Sequence, residues 1–416
     1  MFQAPRGTSD LLPEDQHYWR FIESQAEGLA GRYGFSRIDT PTFENANLFV
    51  RSVGEGTDIV EKEMYTFEDR GGDNVTLRPE GTAPVCRAYL EHGMHNLPQP
   101  VRLYYFCPVF RYERPQAGRF REHHQFGVEV LGDPDPSVDA EVVGLAWQLT
   151  RSLGLTEINL FLNSIGDAQC RPGYIALLQD YYSSRRDALC GDCRLRLDRN
   201  PLRLLDCKVE TCRTLGDGAP RSAEHLCQEC LDHWSKLQEY LAAMEIPYRI
   251  DHRLVRGLDY YSRTVFEIQP EQGGGQSTIC GGGRYDGLIE QLGGRPTPGI
   301  GFATGMERLA LNLKRSETPV PSLASPRYLV ANVGDAARPA ALALAAKLRR
   351  EGVGAILSNG PRSLRGQMRQ ANALDIPVAL ILGDDEIKDG LVVVRDMRDS
   401  TQDTVPLQDF LDQLSR

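Results

Sequence analysis

The stretch from Phe110 to Gly132, FRYERPQAGRFREHHQFGVEVLG, sets charged residues where a strand normally buries apolar ones. Alternate residues of a strand share a face, so Arg111 and Glu113 are expected to point one way, and Gln125, Gly127 and Glu129 to line one face of the returning strand. Between them Arg114, Arg119 and Arg121, set around Pro115 and Gly118, suit a loop that reaches for a polyanion. The competing reading is an exposed, salt-bridged hairpin, since charge pairs on a solvated sheet face are ordinary.

Three further segments carry residues of the same kind. In LVRGLDYYSRTVFE (254–267), Arg256 next to Gly257 can approach a phosphate closely, and the Tyr260 and Tyr261 hydroxyls can bond a polar ring; an Arg–Asp pair with core tyrosines explains the same letters. The glycines of CGGGRYDGL (280–288) would let a ligand lie against the backbone, but no Gly-Lys-Ser/Thr follows and the dinucleotide spacing is absent. In PGIGFATGMERLALNL (298–313) glycines lead from a strand into a helix with Arg308 in its early turns, a place for phosphate or for tight strand–helix packing. Glu80, in LRPEGTA, falls at a strand-to-helix junction.

These residues need a scaffold, and the chain's size supplies one. Its 416 residues are too many for one core and suggest two or three domains; 41% hydrophobic and 25% charged residues fit a globular protein. The start, MFQAPRGTSDLLPED, lacks the apolar run of a signal peptide, and no apolar stretch reaches a membrane span, so a cytoplasmic protein without a membrane partner is expected. A net charge of −10 argues against indiscriminate nucleic-acid binding, yet leaves room for a polyanion site built from local arginines.

The apolar spacing of Tyr18, Trp19, Ile22, Ala26 and Leu29 predicts a helix over 14–32, and YGFSRIDTPTFE an extended segment with Pro41 at a sheet edge. Helices over 83–90, 138–153 and 223–244 and strands over 157–163, 248–252 and 264–269 complete the first region. From about 167 to 248 the character shifts: seven of the ten cysteines fall there, as in an insertion. After the Pro- and Ser-containing stretch 318–326, strands over 328–333, 355–357, 377–382 and 391–395 alternate with helices over 338–351 and 363–374, as in a small α/β domain.

In their order, PTFE after a long helix, FRYE with its arginine loop, and GIGFATGMERL resemble motifs 1, 2 and 3 of class II aminoacyl-tRNA synthetases. LRPEGTA and LVRGLDYYSRTVFE resemble the two signature stretches of the histidyl-tRNA synthetase family, and the likeness covers essentially the whole chain. The resemblance implies an α+β catalytic core with an antiparallel sheet flanked by helices over 1–322, a helical insertion over 167–248, and a C-terminal α/β anticodon-binding domain over 323–416. It also implies a homodimer formed partly through the Pro41 segment, with tRNA(His) as partner, L-histidine and ATP as substrates, and Mg2+. Histidine would be activated to histidyl-adenylate with release of pyrophosphate, then passed to the 3′ end of tRNA(His). Both steps gather negative charge on phosphoryl or carbonyl oxygens, which preorganised arginines and magnesium stabilise.

Carried over residue by residue, Arg111 and Arg256 resemble the two arginines that act on the α-phosphate from opposite sides, and Arg308 the one at the far phosphates and adenine. Glu113 and Arg121 resemble ATP-binding positions. Glu80 and Thr82 are implied at the substrate ammonium, Gln125 near its backbone groups, and Glu129, Tyr260 and Tyr261, with Tyr285 close by, around its side chain. Gly127 is expected to leave room for the ligand. A carboxylate and a phenol at the two nitrogens of imidazole would reject residues that leave them unpaired. The loop residues Arg114, Gln116 and Arg119 are expected to read the tRNA acceptor end, and Arg362, Arg365 and Arg369, at i, i+3 and i+7, to meet anticodon-stem phosphates or to form a solvated helix face.

The cysteines pose a separate question. Cys190-x2-Cys193 and Cys227-x2-Cys230 offer two chelating pairs that together suit a tetrahedral structural zinc, although the gap between the pairs exceeds the usual spacing. The alternative to synthetase activity is a synthetase-like regulatory subunit of ATP phosphoribosyltransferase. Such paralogues tend to lose the catalytic arginine signature and the anticodon-binding domain, and this chain keeps both.

Overall fold

The computed structural model describes residues 2–114, 118–272, 278–360 and 362–414. Gln116 and the glycines 273–275 therefore lie outside the described residues. The chain divides into two compact units, Met1–Pro321 and Ser322–Arg416.

In the first unit the strands are β1 (Ser36–Arg37), β2 (Phe43–Asn45), β3 (Tyr65–Glu68), β4 (Asn74–Leu77), β5 (Val101–Phe110), β6 (Glu122–Leu131), β7 (Ile158–Ser164), β8 (Arg249–Ile250), β9 (Ser262–Pro270), β10 (Cys280–Arg284) and β11 (Gly299–Gly305). Eight of them form one sheet in the order β1-β5-β6-β11-β10-β9-β7-β8. Its six inner strands are antiparallel, and only the short end strands β1 and β8 pair in parallel.

Both faces of this sheet are covered, and the two-residue period decides what goes where. Phe126, Val128 and Val130 point into one core together with the helix Gln16–Arg32, which presents Trp19, Ile22, Ala26 and Leu29 at helical spacing. Leu103, Tyr105, Cys107 and Val109 point into the other, shared with the helix Thr82–Glu91 and with segments between 165 and 219. Residues from Tyr174 to Ala219 of the 167–248 segment thus join the opposite-face core. The segment's last helix, Gln228–Ala243, packs Trp234, Leu237 and Leu241 beside the helix Pro136–Ser152 in the first core.

A second small sheet, β2-β4-β3, places the Pro41 segment. Arg78, only 3% exposed, donates to the carbonyls of Thr40 (2.7 Å), Pro41 (3.0 Å) and Pro108 (2.7 Å). One buried guanidinium satisfying three orphan carbonyls ties this segment to the end of β5, two residues before Glu80.

In the second unit β12 (Tyr328–Val333), β13 (Ala355–Leu357), β14 (Val378–Gly383), β15 (Leu391–Asp396) and β16 (Gln402–Pro406) form a sheet ordered β13-β12-β14-β15-β16. Apolar clusters lie on both of its faces. The edge strand β16 and the helices Asp384–Asp389 and Leu407–Leu414 are additions to the sequence-based expectation. The exposed QDTVP segment carries no apolar alternation to announce a strand.

Candidate active site

A cleft opens at the end of the large sheet. Its lining draws together Glu80, Thr82, Arg111, Glu113, Arg119, Gln125, Arg256, Tyr260, Tyr261 and Arg308, residues separated by up to 228 positions (80 to 308) in sequence. Arg114, Arg121, Glu129 and Tyr285 are not part of that lining.

The arginine side begins where β5 ends. Arg111 and Glu113 follow the strand instead of continuing it, which corrects the expectation that they share a strand face: β5 stops at Phe110, and the Glu113 amide folds back on the Arg111 carbonyl at 2.7 Å. The hairpin is closed by the Arg111 amide on the Arg121 carbonyl (2.8 Å), and the Arg121 amide reaches the Gly7 carbonyl (2.7 Å). The Arg111 Nε donates to the Pro79 carbonyl at 2.8 Å, leaving the rest of its guanidinium fork toward the cleft. Arg119 pairs with Glu113 at 3.4 Å, and the Arg121 guanidinium stacks 3.7 Å from the centre of the Tyr112 ring. Arg114 is exposed on the loop.

Arg308, in the first turn of the helix Met306–Arg315, donates to the carbonyls of Gly118 (3.1 Å) and Thr278 (2.8 Å). It therefore bridges the hairpin loop to the β10 side of the cleft. Arg256 pairs with Glu267 rather than with the nearby Asp259, which instead accepts from Asn200 at 2.8 Å. Burial opposes the charge on Arg256, but Glu267 holds it firmly protonated. Gly281 lies beneath it, and a Cβ there would sit 2.5 Å from the guanidinium, so any larger residue would have to displace the arginine.

The opposite end of the cleft is built from carboxylates and phenols. Glu80 accepts from the amides of Thr82 and Ala83, both at 2.7 Å, at the start of the helix Thr82–Glu91, and from the Tyr260 hydroxyl at 3.3 Å. Burial raises its pKa, and the two amides partly offset that shift. Glu129 is 1% exposed and receives the hydroxyls of Thr82 (2.7 Å) and Tyr105 (3.1 Å) on Oε1 and of Tyr285 (2.5 Å) on Oε2. Burial pushes its carboxyl up to about 8, with the Glu80 charge adding to the shift.

Two expectations are corrected here. Glu129 does not line the cleft: it lies behind Thr82, which bonds it, and Tyr260, whose ring packs edge-on at 5.7 Å from that of Tyr285, the residue expected close by. Gly127 does not make room for a ligand. A Cβ at Gly127 would meet the Tyr105 phenol at 2.3 Å, and one at Gly81 would meet the same ring at 2.4 Å, so the two glycines admit Tyr105.

Tyr105, Glu267 and His123 are therefore site residues that the sequence reading missed. His123 lines the cleft, and burial, followed by Arg111 and Arg308, depresses its pKa to about 3, which keeps the ring neutral. Among the described residues eight buried side-chain polar atoms lack a hydrogen bond, and four of them belong to the cleft: Glu113 Oε2, His123 Nδ1, Gln125 Oε1 and Arg256 Nε. Buried polar atoms are normally satisfied, so this concentration marks a surface shaped for a polar ligand.

The cysteines fall into two groups, not one. Cys190 and Cys193 gather with Cys207 and Cys212, whereas Cys227 and Cys230 gather with Cys170 and Asp167. The single set expected from the two CxxC pairs is thereby overturned, because each pair closes on the partners its own helix end brings near. In the second unit Arg362, Arg365 and Arg369 are all exposed, but the helix runs Leu364–Ala373 with Ser363 as its N-cap, so only Arg365 and Arg369 are helical.

Comparison with known proteins identifies what the chain resembles as a whole. A family model described as histidyl-tRNA synthetase matches residues 7–169 and 207–309, and one described as an anticodon binding domain matches 328–416. A histidine–tRNA ligase of Dehalococcoides mccartyi is 57% identical over 416 residues, all of both chains. One from Desulfitobacterium hafniense is 48% identical over 408 residues, 98% of this chain and 96% of its own. The crystal structure of apo histidyl-tRNA synthetase from S. aureus superposes with a TM-score of 0.84 at 37% identity, covering 100% of each chain.

Proposed function

The chain belongs to the histidyl-tRNA synthetase family, and from that premise we propose how its cleft does the chemistry. It is an ATP-dependent histidine–tRNA ligase: histidine is activated to histidyl-adenylate with release of pyrophosphate and then transferred to tRNA.

The α-phosphate lies between Arg111 and Arg256, which approach from different walls of the cleft. The pairing of Arg256 with Glu267 fixes the guanidinium before substrate arrives, so stabilising the pentavalent phosphorus costs little reorganisation. No protein base is needed, because the attacking carboxylate of histidine is already ionised at neutral pH. Arg308 takes the far phosphates and adenine. Glu113, whose carboxylate pairs with Arg119 at 3.4 Å, would help hold a magnesium ion against the phosphates; burial and then Glu113 raise the nearby Glu63 carboxyl, with Arg111 and Arg119 opposing the shift. Magnesium would neutralise developing phosphate charge.

Glu80 and the Thr82 hydroxyl receive the ammonium of histidine, and Gln125, whose Oε1 is without a partner, meets its backbone groups. The imidazole lies against Tyr260 and Tyr261. An ionised carboxylate has about four acceptor sites, and Glu129 uses three, leaving one for a ring N–H reaching between Thr82 and Tyr260. Such a bond draws the raised Glu129 pKa down and ionises the acid only when a nitrogen donor is present. The observation that carries this reading is the placement of Arg111, Arg256, Glu80 and Tyr260 around one cleft.

The loop arginines Arg114 and Arg119 would contact the tRNA acceptor end, a role the sequence also gives to Gln116, and Arg365 and Arg369, flanked by Arg362, the anticodon stem. A cytoplasmic homodimer joined in part through the Pro41 segment completes the proposal. No described helix is long and apolar enough to cross a membrane. Any zinc carried between residues 167 and 248 is structural, because none of that segment's cysteines lines the cleft. The regulatory alternative is less favoured, because Arg256 and a second unit matching an anticodon-binding domain are both present. Amino-acid-dependent ATP–pyrophosphate exchange is expected with histidine alone among the twenty; exchange with another amino acid and not with histidine would overturn the reading.

A further inference from the structure

Seven cysteines and one aspartate between residues 167 and 230 converge into two groups whose ligand atoms all lie within 4.8 Å of one another inside each group. None forms a disulfide. Four thiolates around a zinc at about 2.3 Å would be about 3.8 Å apart. Cys190 Sγ and Cys207 Sγ already stand at 3.9 Å.

We propose that this segment binds two structural zinc ions, one at Cys190, Cys193, Cys207 and Cys212 and one at Asp167, Cys170, Cys227 and Cys230. The two sites are built alike. Cys190 is the N-cap of the helix Gly191–Arg199 and Cys227 that of Gln228–Ala243, so each CxxC pair straddles a helix start where amides and the helix dipole favour thiolate. In the first site the Cys193 amide donates to Cys190 Sγ (3.4 Å) and the Cys190 amide to Cys212 Sγ (3.2 Å), outer contacts of the kind that orient metal ligands.

The second site has its own supports. Asp167 Oδ1 faces the Cys170 thiol at 3.6 Å and the Cys227 thiol at 3.9 Å, while its Oδ2 pairs with Arg263 at 3.2 Å. That arginine offsets the excess negative charge of three thiolates and a carboxylate around one divalent ion. Gly166, at φ +67°, is needed for the approach, since a Cβ there would stand 2.6 Å from Cys170 Sγ. Arg171, the residue after Cys170, donates to the Tyr261 carbonyl at 2.6 Å, so the second ion would brace the backbone of a tyrosine that lines the cleft.

Buried reduced thiols are the competing account, and they predict no metal. The full chain, purified with a thiol reductant and assayed for metal by mass spectrometry, is expected to carry two zinc ions. Cys193→Ala and Cys170→Ala are each expected to leave one, and the double variant none. Cobalt(II) exchanged into the wild-type protein is expected to give thiolate charge-transfer absorption with tetrahedral d–d bands at two equivalents, a readout that holds even if a variant fails to fold. Zero or one equivalent in the wild type, cobalt without tetrahedral thiolate bands, or loss of both ions in a folded single variant would overturn the proposal.

Discussion

The two ends of the cleft are built on opposite plans. At the amino-acid end Glu80 and Glu129 are almost wholly enclosed, and six donors, two amides and four hydroxyls, already hold their oxygens. At the phosphate end Arg111, Glu113, His123 and Arg256 keep donors and acceptors in reserve, three of them with a buried atom lacking a hydrogen bond. The contrast follows from what each end must do. A pocket that tells imidazole from other side chains gains by rigid, pre-satisfied acids, because a wrong ligand then leaves a buried group unpaired. A site for charge that appears only in the transition state gains by donors not spent in the ground state.

The largest expected effect lies at the phosphate end. Arg256→Ala should lower histidine-dependent exchange by at least about a hundredfold, the scale of removing one transition-state donor, as read from initial rates at saturating substrates. Next comes the amino-acid end: Glu129→Gln should weaken histidine binding by roughly ten- to a hundredfold, the worth of a hydrogen bond to a charged group, with ATP binding unchanged in calorimetry. An effect of Glu129→Gln on ATP and not on histidine would collapse the distinction between the ends.

The same acid also sets a pH dependence without substrate. Its folded pKa of about 8 stands above the ordinary carboxylate value, so the folded state holds the proton more tightly than the unfolded one. The resulting stability is complete at low pH and is lost as pH rises toward and through 8, at up to about 1.4 kcal/mol per pH unit within that window. Urea unfolding between pH 5.5 and 8.5 should therefore show a steeper loss in the wild type than in Glu129→Gln. Of similar size is Gly127→Ala, whose Cβ overlaps Tyr105; it should cost about 1–3 kcal/mol of stability. The smallest effect is expected in the second unit, where Arg365→Ala with Arg369→Ala should lower tRNA charging several-fold and leave exchange intact.

How much of this could be read in the letters also differs between the ends. Arg111, Arg256 and Arg308 stand in recognisable motifs, and the structure brings all three to the cleft. Tyr105 went unseen because its position within YYF reads as ordinary strand burial, and what makes it special is the absence of side chains at Gly81 and Gly127 across from it. Glu267 was overlooked because Asp259 is nearer to Arg256 in sequence, although β9 brings Glu267 to it in space. The cysteine grouping failed similarly: CxxC spacing reveals each chelating pair, but the path of several helices decides which distant residues complete it. Long strands and helices with clear apolar periods fell within a few residues of expectation, whereas the polar edge strand β16 had no period to show.

The division of labour between the ends is tested most directly by single-turnover adenylate formation, measured beside histidine affinity for Arg256→Ala and Glu129→Gln in parallel. The expected result is a crossover, in which Arg256→Ala loses the rate constant while binding histidine within about threefold of the wild type, a change below about 0.7 kcal/mol. Glu129→Gln should lose affinity first. Loss of histidine affinity in Arg256→Ala with an unchanged rate at saturation would contradict the account.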